Sequence, residues 1–226
     1  MKLSVIVPVL NEARAIGACL DAIRLGAPEA EIIVADGNSP DATVEIARAR
    51  GALTLIAPRG RAYQMNAGAA AASGEALAFV HADTLVPATL ARDISIALLD
   101  PHVIGGRFDL ELDGSELWSW VLGKLISWRS RLTRSATGDQ AIFVRRDVFV
   151  AMSGFREIEL CEDVDFVRRL KRCGKFACLQ SRIVTSSRRW RENGIIRTVL
   201  KMWLIKSLFL AGVSPARLRR YYADIR

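Results

Sequence analysis

The chain has 226 residues, 51% hydrophobic and 25% charged, a balance that supports one substantial core and argues against a disordered or fibrous protein. Its four cysteines, Cys19, Cys161, Cys173 and Cys178, lack any paired CxxC spacing, and with only His81 and His102 beside them a structural zinc site is disfavoured and reduced, mostly buried thiols are expected. The formal charge of +8 belongs to the C-terminal tail, where ten Lys or Arg and two acids lie between Arg188 and Arg226. Such a tail favours an anionic membrane surface, a phosphate-bearing substrate or nucleic acid.

Leu3 to Val9 is an apolar run broken by Pro8 and followed at once by Asn11-Glu12, without the long apolar core and cleavage site of a signal peptide, so a first strand in a cytoplasmic protein is expected. A helix follows from about Glu12 to Leu25, on the spacing of Ala15, Ile16, Cys19, Leu20 and Ile23, and Gly26 and Pro28 stop it. A second strand over 31–35 runs into the turn cluster Gly37-Asn38-Ser39-Pro40, and Asp41 or Thr43 starts a helix over 41–50 that Gly51 ends. Leu53 to Ile56 is a third strand. After Pro58-Arg59-Gly60 comes a helix of small residues over 61–72, closed by Ser73-Gly74, and Leu77 to Val80 is a buried strand. This β-α-β-α-β-α-β order predicts an α/β fold with a mostly parallel sheet.

In the second half, Ile104 to Leu112 alternates as a strand, 116–132 is a Trp-rich helix, and Gln140 to Val144 is a short strand ahead of a helix over 146–152. Glu162 opens a helix reaching about Cys173, and Phe176 to Leu179 and Ile183 to Thr185 are two further strands. Thr198 to Val213 is strongly apolar but only about sixteen residues long, and Lys201 and Lys206 interrupt it, so it does not span a membrane. It packs on the core or lies in a membrane interface with Trp203, Leu204 and Phe209 inserted. No repeat or linker divides the chain, and 1–226 is expected to be one domain.

Three of the apolar runs stop at acids: Leu3 to Val9 before Asn11-Glu12, Ile32 to Ala35 before Asp36, and Leu77 to Val80 before His81-Ala82-Asp83. If the runs are neighbouring parallel strands, one rim of the sheet collects Glu12, Asp36 and Asp83, the rim at which open α/β sheets bind ligands. A nucleotide with a divalent metal gives those acids a reason to converge.

The order of motifs resembles the family-2 glycosyltransferases, enzymes of the nucleotide-sugar-binding GT-A fold. The matching elements are Val5-Ile6-Val7-Pro8 with Asn11-Glu12, Val34-Ala35-Asp36-Gly37-Asn38-Ser39 with Asp41-Ala42-Thr43, Gly60-Arg61 with Asn66 and Gly68, His81-Ala82-Asp83, Gly138-Asp139-Gln140 and Cys161-Glu162-Asp163. Together they extend over roughly residues 3–190, and Arg59 to Asn66 looks like a small bacterial branch of these transferases. The resemblance implies a Rossmann-like GT-A domain in which 1–105 binds the nucleotide sugar, 106–190 binds the acceptor and 191–226 is a basic, apolar C-terminal helical segment.

It further implies that Pro8, Asn11, Glu12 and Asp36 line the nucleoside pocket, although Asp36-Gly37-Asn38-Ser39 is also an ordinary Asx-type turn. Arg59 and Arg61 flank Gly60 at a helix N-terminus, a setting for a diphosphate or for solvated arginines. Asn66 contacts the donor, orients the loop or packs on the small-residue helix. Asp83 is the metal ligand, for manganese or magnesium; the family's usual Asp-x-Asp reads His-x-Asp here, and on an extended segment His81 would share its side, as a ligand or a ribose contact. Asp163 is the general base and Glu162 orients it, while the helix dipole alone would explain acids at 162, 163 and 165 equally well. Gly138 with Asp139 and Gln140 forms the acceptor wall, and Trp190 stacks on an acceptor ring or is a surface or core tryptophan. The family often has a second acid where Ala35 stands, and the glutamine of the processive Gln-x-x-Arg-Trp motif is missing before Arg189-Trp190.

The expected activity is metal-dependent, inverting transfer of one sugar from a UDP- or GDP-linked donor to a hydroxyl acceptor, a lipid among the candidates, by a cytoplasmic protein able to sit at the inner membrane face. The alternatives are a nucleotidyltransferase acting on sugar phosphates, whose glycine-rich loop after strand one is absent, and a non-catalytic nucleotide or anionic-surface binder. No nucleic-acid partner is expected, because the tail's aromatics are few and sit within apolar runs.

Overall fold

Strand β1 (Leu3–Val9) is buried along its whole length because layers cover both of its faces. In the computed structural model, which describes residues 1–114 and 116–222, β1 pairs in parallel with β2 (Glu31–Asp36) and with β4 (Ala76–Phe79), and β2 continues in parallel to β3 (Leu53–Ile56). Alternation along each strand sorts the side chains. Val5, Val7, Val9, Ile32, Val34 and Ala78 join a core with Ile16, Leu20 and Ile23 of helix α1 (Ile16–Gly26), whereas Ile6, Ile33, Leu77 and Phe79 join the opposite core with Ala62, Met65 and Ala69 of helix α3 (Arg61–Ala71). The small residues of α3 have a reason: a Cβ on Gly68 would stand 2.5 Å from Cγ2 of Ile6, so only glycine lets the helix lie this close to β1.

Helix α2 (Thr43–Ala49) links β2 to β3. After β4 come β5 (Thr84–Leu85), α4 (Leu90–Ala97), β6 (Val103–Leu112), α5 (Leu117–Thr133), a 3-10 turn at Gly138–Gln140, β7 (Ile142–Arg145), α6 (Arg146–Ala151), α7 (Glu162–Leu170), β8 (Lys175–Thr185), α8 (Arg188–Asn193), α9 (Ile195–Leu210) and α10 (Pro215–Tyr222). The eight strands form one sheet in the order β3-β2-β1-β4-β7-β6-β8-β5, parallel in four of its seven pairings. The antiparallel pairing of β4 with β7 sets Phe79 opposite Ile142. The start of β7 therefore lies beside the end of β4, at the rim where the acids collect.

Three details depart from the predicted elements. Helix α1 begins at Ile16 and not near Glu12, because Asn11 takes a left-handed φ of 60° and side-chain bonds hold the residues after it. The two strands expected around 176–185 are one strand: its polar middle pairs with β6 across an irregularity between Arg107 and Asp109, and Ser181 donates to Asp93 of α4 at 2.5 Å. Helix α4, unpredicted, buries only Leu90 and Ile94 of its own residues, too few to make a periodic signal. Of the cysteines, Cys19 and Cys161 are buried, Cys178 is half-buried and Cys173 is exposed, all as free thiols.

Four phenylalanines join α6 and α7 to β4. Phe155 stacks on Phe166 with centroids 4.2 Å apart and meets Phe79 edge-on at 4.9 Å. Phe155→Ala is expected to destabilise the protein by about 3–5 kcal/mol in urea unfolding, the usual loss for a buried aromatic; a change below about 1 kcal/mol would mean that this aromatic group does not tie the layers together.

Candidate active site

The rim is built first from the backbone. Val9 lies opposite Asp36 in the parallel register, so β1 and β2 end together. Gln64 of α3, buried and unanticipated from the sequence, donates from Nε2 to the carbonyls of Val9 at 2.6 Å and Ala35 at 2.9 Å and so ties the two strand ends. Ser39 ties the loops: its Oγ donates to Asp36 Oδ1 at 2.5 Å and accepts from Asn11 N–H at 2.8 Å, and its N–H donates to Asp36 Oδ2 at 2.9 Å. Asp36 is thus 2% exposed in an Asx-type turn, with only its remaining lone pairs for a ligand. Asp41 and Thr43 hold the loop after β1 in the same way, Thr43 Oγ1 accepting from Glu12 N–H at 2.9 Å and Asp41 from Ala13 N–H at 3.2 Å. Pro8 is buried inside β1 opposite Ala35.

Charge gathers beyond this frame. Burial raises the Glu12 pKa and the neighbouring carboxylate of Asp83 raises it further, while Arg188 and Arg61 draw it down. The segment from His81 is a turn closed by Thr84 N–H on His81 O at 3.1 Å, so the two-residue alternation expected of His81 and Asp83 does not hold. His81 points instead at Gly138: a Cβ there would be 2.6 Å from Nε2, and glycine makes the approach possible. Arg59 donates from Nε to Gly37 O at 3.2 Å, steadying the second-strand loop, whereas Arg61 stands 3.9 Å from the buried Glu162.

Of the three acids that begin α7, Glu162 faces Arg61, and the other two differ in their partners. Asp165 is enclosed by Arg169 at 2.8 Å, Arg156 at 3.4 Å and Arg168 at 3.6 Å. Asp163 accepts from Gly138 N–H at 2.6 Å and from Val164 N–H at 2.6 Å. Desolvation raises its pKa above the ordinary 3.8; those N–H groups and Arg61 oppose the rise, and Asp139 adds to it. The thiols nearby are inert: burial first, then neighbouring carboxylates, push both Cys19 and Cys161 up to about 12.

The family model for glycosyl transferase family 2 matches residues 4–157. The chain belongs to glycosyl transferase family 2. No curated protein matches the sequence at a significant level. Among solved structures, TarS 1-349 of S. aureus in complex with UDP superposes with a TM-score of 0.66 at 18% identity, over 82% of this chain and 60% of that one. The mannosyltransferase PcManGT of Pyrobaculum calidifontis in complex with GDP-Man and Mn2+ gives 0.63 at 22% identity, over 81% and 56%. Glucosyl-3-phosphoglycerate synthase of Mycobacterium tuberculosis in complex with Mn2+, UDP-glucose and phosphoglyceric acid gives 0.61 at 18%, over 80% and 70%. These likenesses are of fold, which is GT-A. The chain spans only about three fifths of the length of the first two.

Three further candidates of this family-2 chain have their contacts within the fold. Asn66 is turned to the loop before α7, its Nδ2 donating to Phe155 O at 2.8 Å and its Oδ1 accepting from Phe155 N–H at 2.9 Å, and so braces the aromatic cluster in place of a donor. Gln140 is fully buried, with Oε1 accepting from Ser130 Oγ at 3.0 Å and Nε2 donating to Phe108 O at 3.5 Å, so it supports the turn of Gly138 and Asp139 from behind. Trp190, 7% exposed, packs in the core and offers no free face to a sugar. Gly138 and Asp139 remain half-exposed at the rim.

Carbon-13 NMR titration of the Asp163 carboxyl is expected to give a midpoint above 3.8. Because the folded value is raised, the folded state binds this proton more tightly than the unfolded one, and the group's contribution to stability declines as pH rises from the unfolded value through the folded midpoint. A midpoint at or below 3.8 would contradict the desolvated environment described above.

Proposed function

We propose that this chain transfers one sugar from a UDP- or GDP-linked donor to a hydroxyl acceptor, with inversion, in a single displacement. The observation that carries the reading is the desolvated Asp163 carboxylate, held by Gly138 N–H and adjoining His81 at the rim where β1, β2 and β4 end. A carboxylate with a raised pKa in a polar cleft suits proton transfer. As the acceptor oxygen attacks the anomeric carbon, its proton passes to Asp163, and the bond from that carbon to the diphosphate oxygen breaks with its electron pair leaving on the diphosphate. Glu162, paired with Arg61, orients the base and its cation. Arg61 and Arg188, both felt by Glu12, meet the charge that grows on the leaving group. Asn11, Glu12 and Asp36, on the frame held by Ser39 and Gln64, line the nucleoside side, with Pro8 behind them. Residues 1–105 then serve the donor and 106–190 the acceptor.

Among the described residues no group of three or more His, Cys, Asp or Glu could by itself hold a metal ion, so a divalent ion would rest on few protein ligands, with Asp83, near enough to Glu12 to raise its pKa, the first of them. The chain would supply Asp83 as ligand, with oxygens of the diphosphate completing the shell, as is common for magnesium. When bound, manganese or magnesium neutralises charge on the departing diphosphate. The complexes of PcManGT with GDP-Man and Mn2+ and of the synthase with UDP-glucose and Mn2+ support the same donor class here.

Helices α5 and α9 also carry outward apolar stripes. On α5, Leu117, Trp120, Val121, Leu125, Trp128 and Leu132 are exposed, and on α9, Ile196, Leu200, Trp203, Leu204 and Leu210 are exposed, whereas Phe209 packs beside α10. Lys124 lies 3.8 Å above the Trp120 ring, and Arg197 and Lys201 flank the second stripe. Exposed tryptophans among leucines and cations match the interface of an anionic bilayer, and no described helix is long and apolar enough to cross one. Peripheral contact with such a surface is part of the reading.

Screening hydrolysis of a panel of nucleotide sugars should identify the donor. With it, Asp163→Asn is expected to lower kcat by about 10²–10⁴-fold while isothermal titration finds donor affinity unchanged; retention of full kcat would remove Asp163 as the base. In sedimentation with phosphatidylglycerol vesicles, the wild type should bind and salt should weaken the binding, and the double variant Trp128→Ser, Trp203→Ser should bind at least about tenfold less well. A wild type that stays in the supernatant at low salt would refute the membrane contact.

A further inference from the structure

Two cations near Asp163 have no part in the donor chemistry above. Arg129 of α5 is half-buried, and its Nε is enclosed without a hydrogen-bond partner among the described residues. Lys206 of α9 is half-buried too, and its Nζ donates to Ser135 Oγ at 3.3 Å. Neither forms an ion pair among the described residues, although the chain pairs many of its other arginines closely.

Neighbouring contacts account for where the two are held. Ser130, next to Arg129, donates to Gln140 and so fastens α5 to the turn that carries Gly138 and Asp139. Ile205, next to Lys206, is buried against Cys161 and Val164, the residues on either side of Glu162 and Asp163. Burial lowers both pKa values. Arg129 lowers that of Lys206 further, while Asp163, then Cys161 and Asp139, draw it back up; at Arg129 the Asp139 carboxylate opposes the fall and Arg107 adds to it. Two desolvated cations held together are unfavourable unless an anion joins them. A forked guanidinium beside an ammonium suits a phosphate group.

We propose that Arg129 and Lys206 form a phosphate subsite on the acceptor side of Asp163, so that the acceptor is a phosphate-bearing alcohol. Calling the ligand an acceptor rests on the transferase reading; the subsite itself does not. The subsite differs from the donor diphosphate side, where Arg61 and Arg188 act on Glu12.

The test is isothermal titration of the full chain, saturated with UDP, with glycerol 3-phosphate and with glycerol, alongside sedimentation with vesicles that contain phosphatidic acid. Glycerol 3-phosphate should bind and glycerol should not, and Arg129→Gln and Lys206→Gln should each weaken binding about tenfold or more, a loss typical of a charge-assisted hydrogen bond. UDP affinity should stay within about twofold of wild type, and without phosphate the variants should unfold at the wild-type temperature or above it, because an unpaired buried charge has been removed. A structural role for either cation would lower that temperature. If free glycerol 3-phosphate fails to bind but phosphatidic acid vesicles bind and each variant abolishes it, the subsite stands and its phosphate is lipid-borne. Equal binding of glycerol and glycerol 3-phosphate, unaltered phosphate binding by both variants, or an equal loss of UDP affinity would overturn the proposal, the last by assigning the cations to the donor diphosphate. Should UDP and GDP both fail to bind, the transferase reading falls, and the same titration without nucleotide still decides the phosphate subsite.

Discussion

Antiparallel pairing between β4 and β7 is the constraint on which the site depends. β4 runs parallel to β1 and ends at the rim. Because β7 runs the other way, with Ile142 opposite Phe79, the residues just before it must arrive at that rim too. This brings Gly138 to His81 across a gap that no Cβ would fit, and gives Asp163 a backbone N–H to accept from. Had the second half joined the sheet in parallel, the turn at 138–140 would have been delivered to the opposite edge.

The acids at the rim differ in what surrounds them, and that difference assigns their work. Asp36 and Asp41 organise loops through Ser39, Thr43 and backbone N–H groups, and Asp165 is neutralised by three arginines. Glu12 and Asp163 are left with burial and a like-charged neighbour, Asp83 for Glu12 and Asp139 for Asp163, which raise their pKa values. Such acids are unfavourable for stability, and carboxylates with raised pKa values are found more often at functional sites than elsewhere.

Helix α5 reverses the usual arrangement of a surface helix. Its tightest inward contacts come from Ser119, Gly123, Ser127 and Ser130, because the helix lies close against β6: a Cβ on Gly123 would be 3.1 Å from Leu110 O, and Ser127 Oγ accepts from Leu110 N–H at 2.9 Å. Buried Arg107 reinforces this seam by donating to Ser127 O at 3.1 Å and pairing with Asp109, which also binds Arg131. With small residues needed inside, several of the large apolar ones face out, and one geometric demand yields both a fixed position for Arg129 and an exposed tryptophan face.

The strands of the first half were legible because β1, β2 and β4 are buried on both faces and so stand out as short apolar runs ended by turn residues. The rim acids were legible for the same reason, since a strand's end marks where its next side chains go. Local pattern carried no trace of the partners that decide each side chain's role. Asn66 braces Phe155, 89 positions away, Gln64 ties Val9 to Ala35, and Trp190 lies in the core. The amino-acid order by itself determined the strands, the helix periods and the family motifs, all of which depend on neighbours a few residues apart. Only the tertiary structure decided which acid stays unpaired, which arginines meet and which apolar faces remain uncovered, because burial and pairing depend on distances between segments that the linear order does not encode.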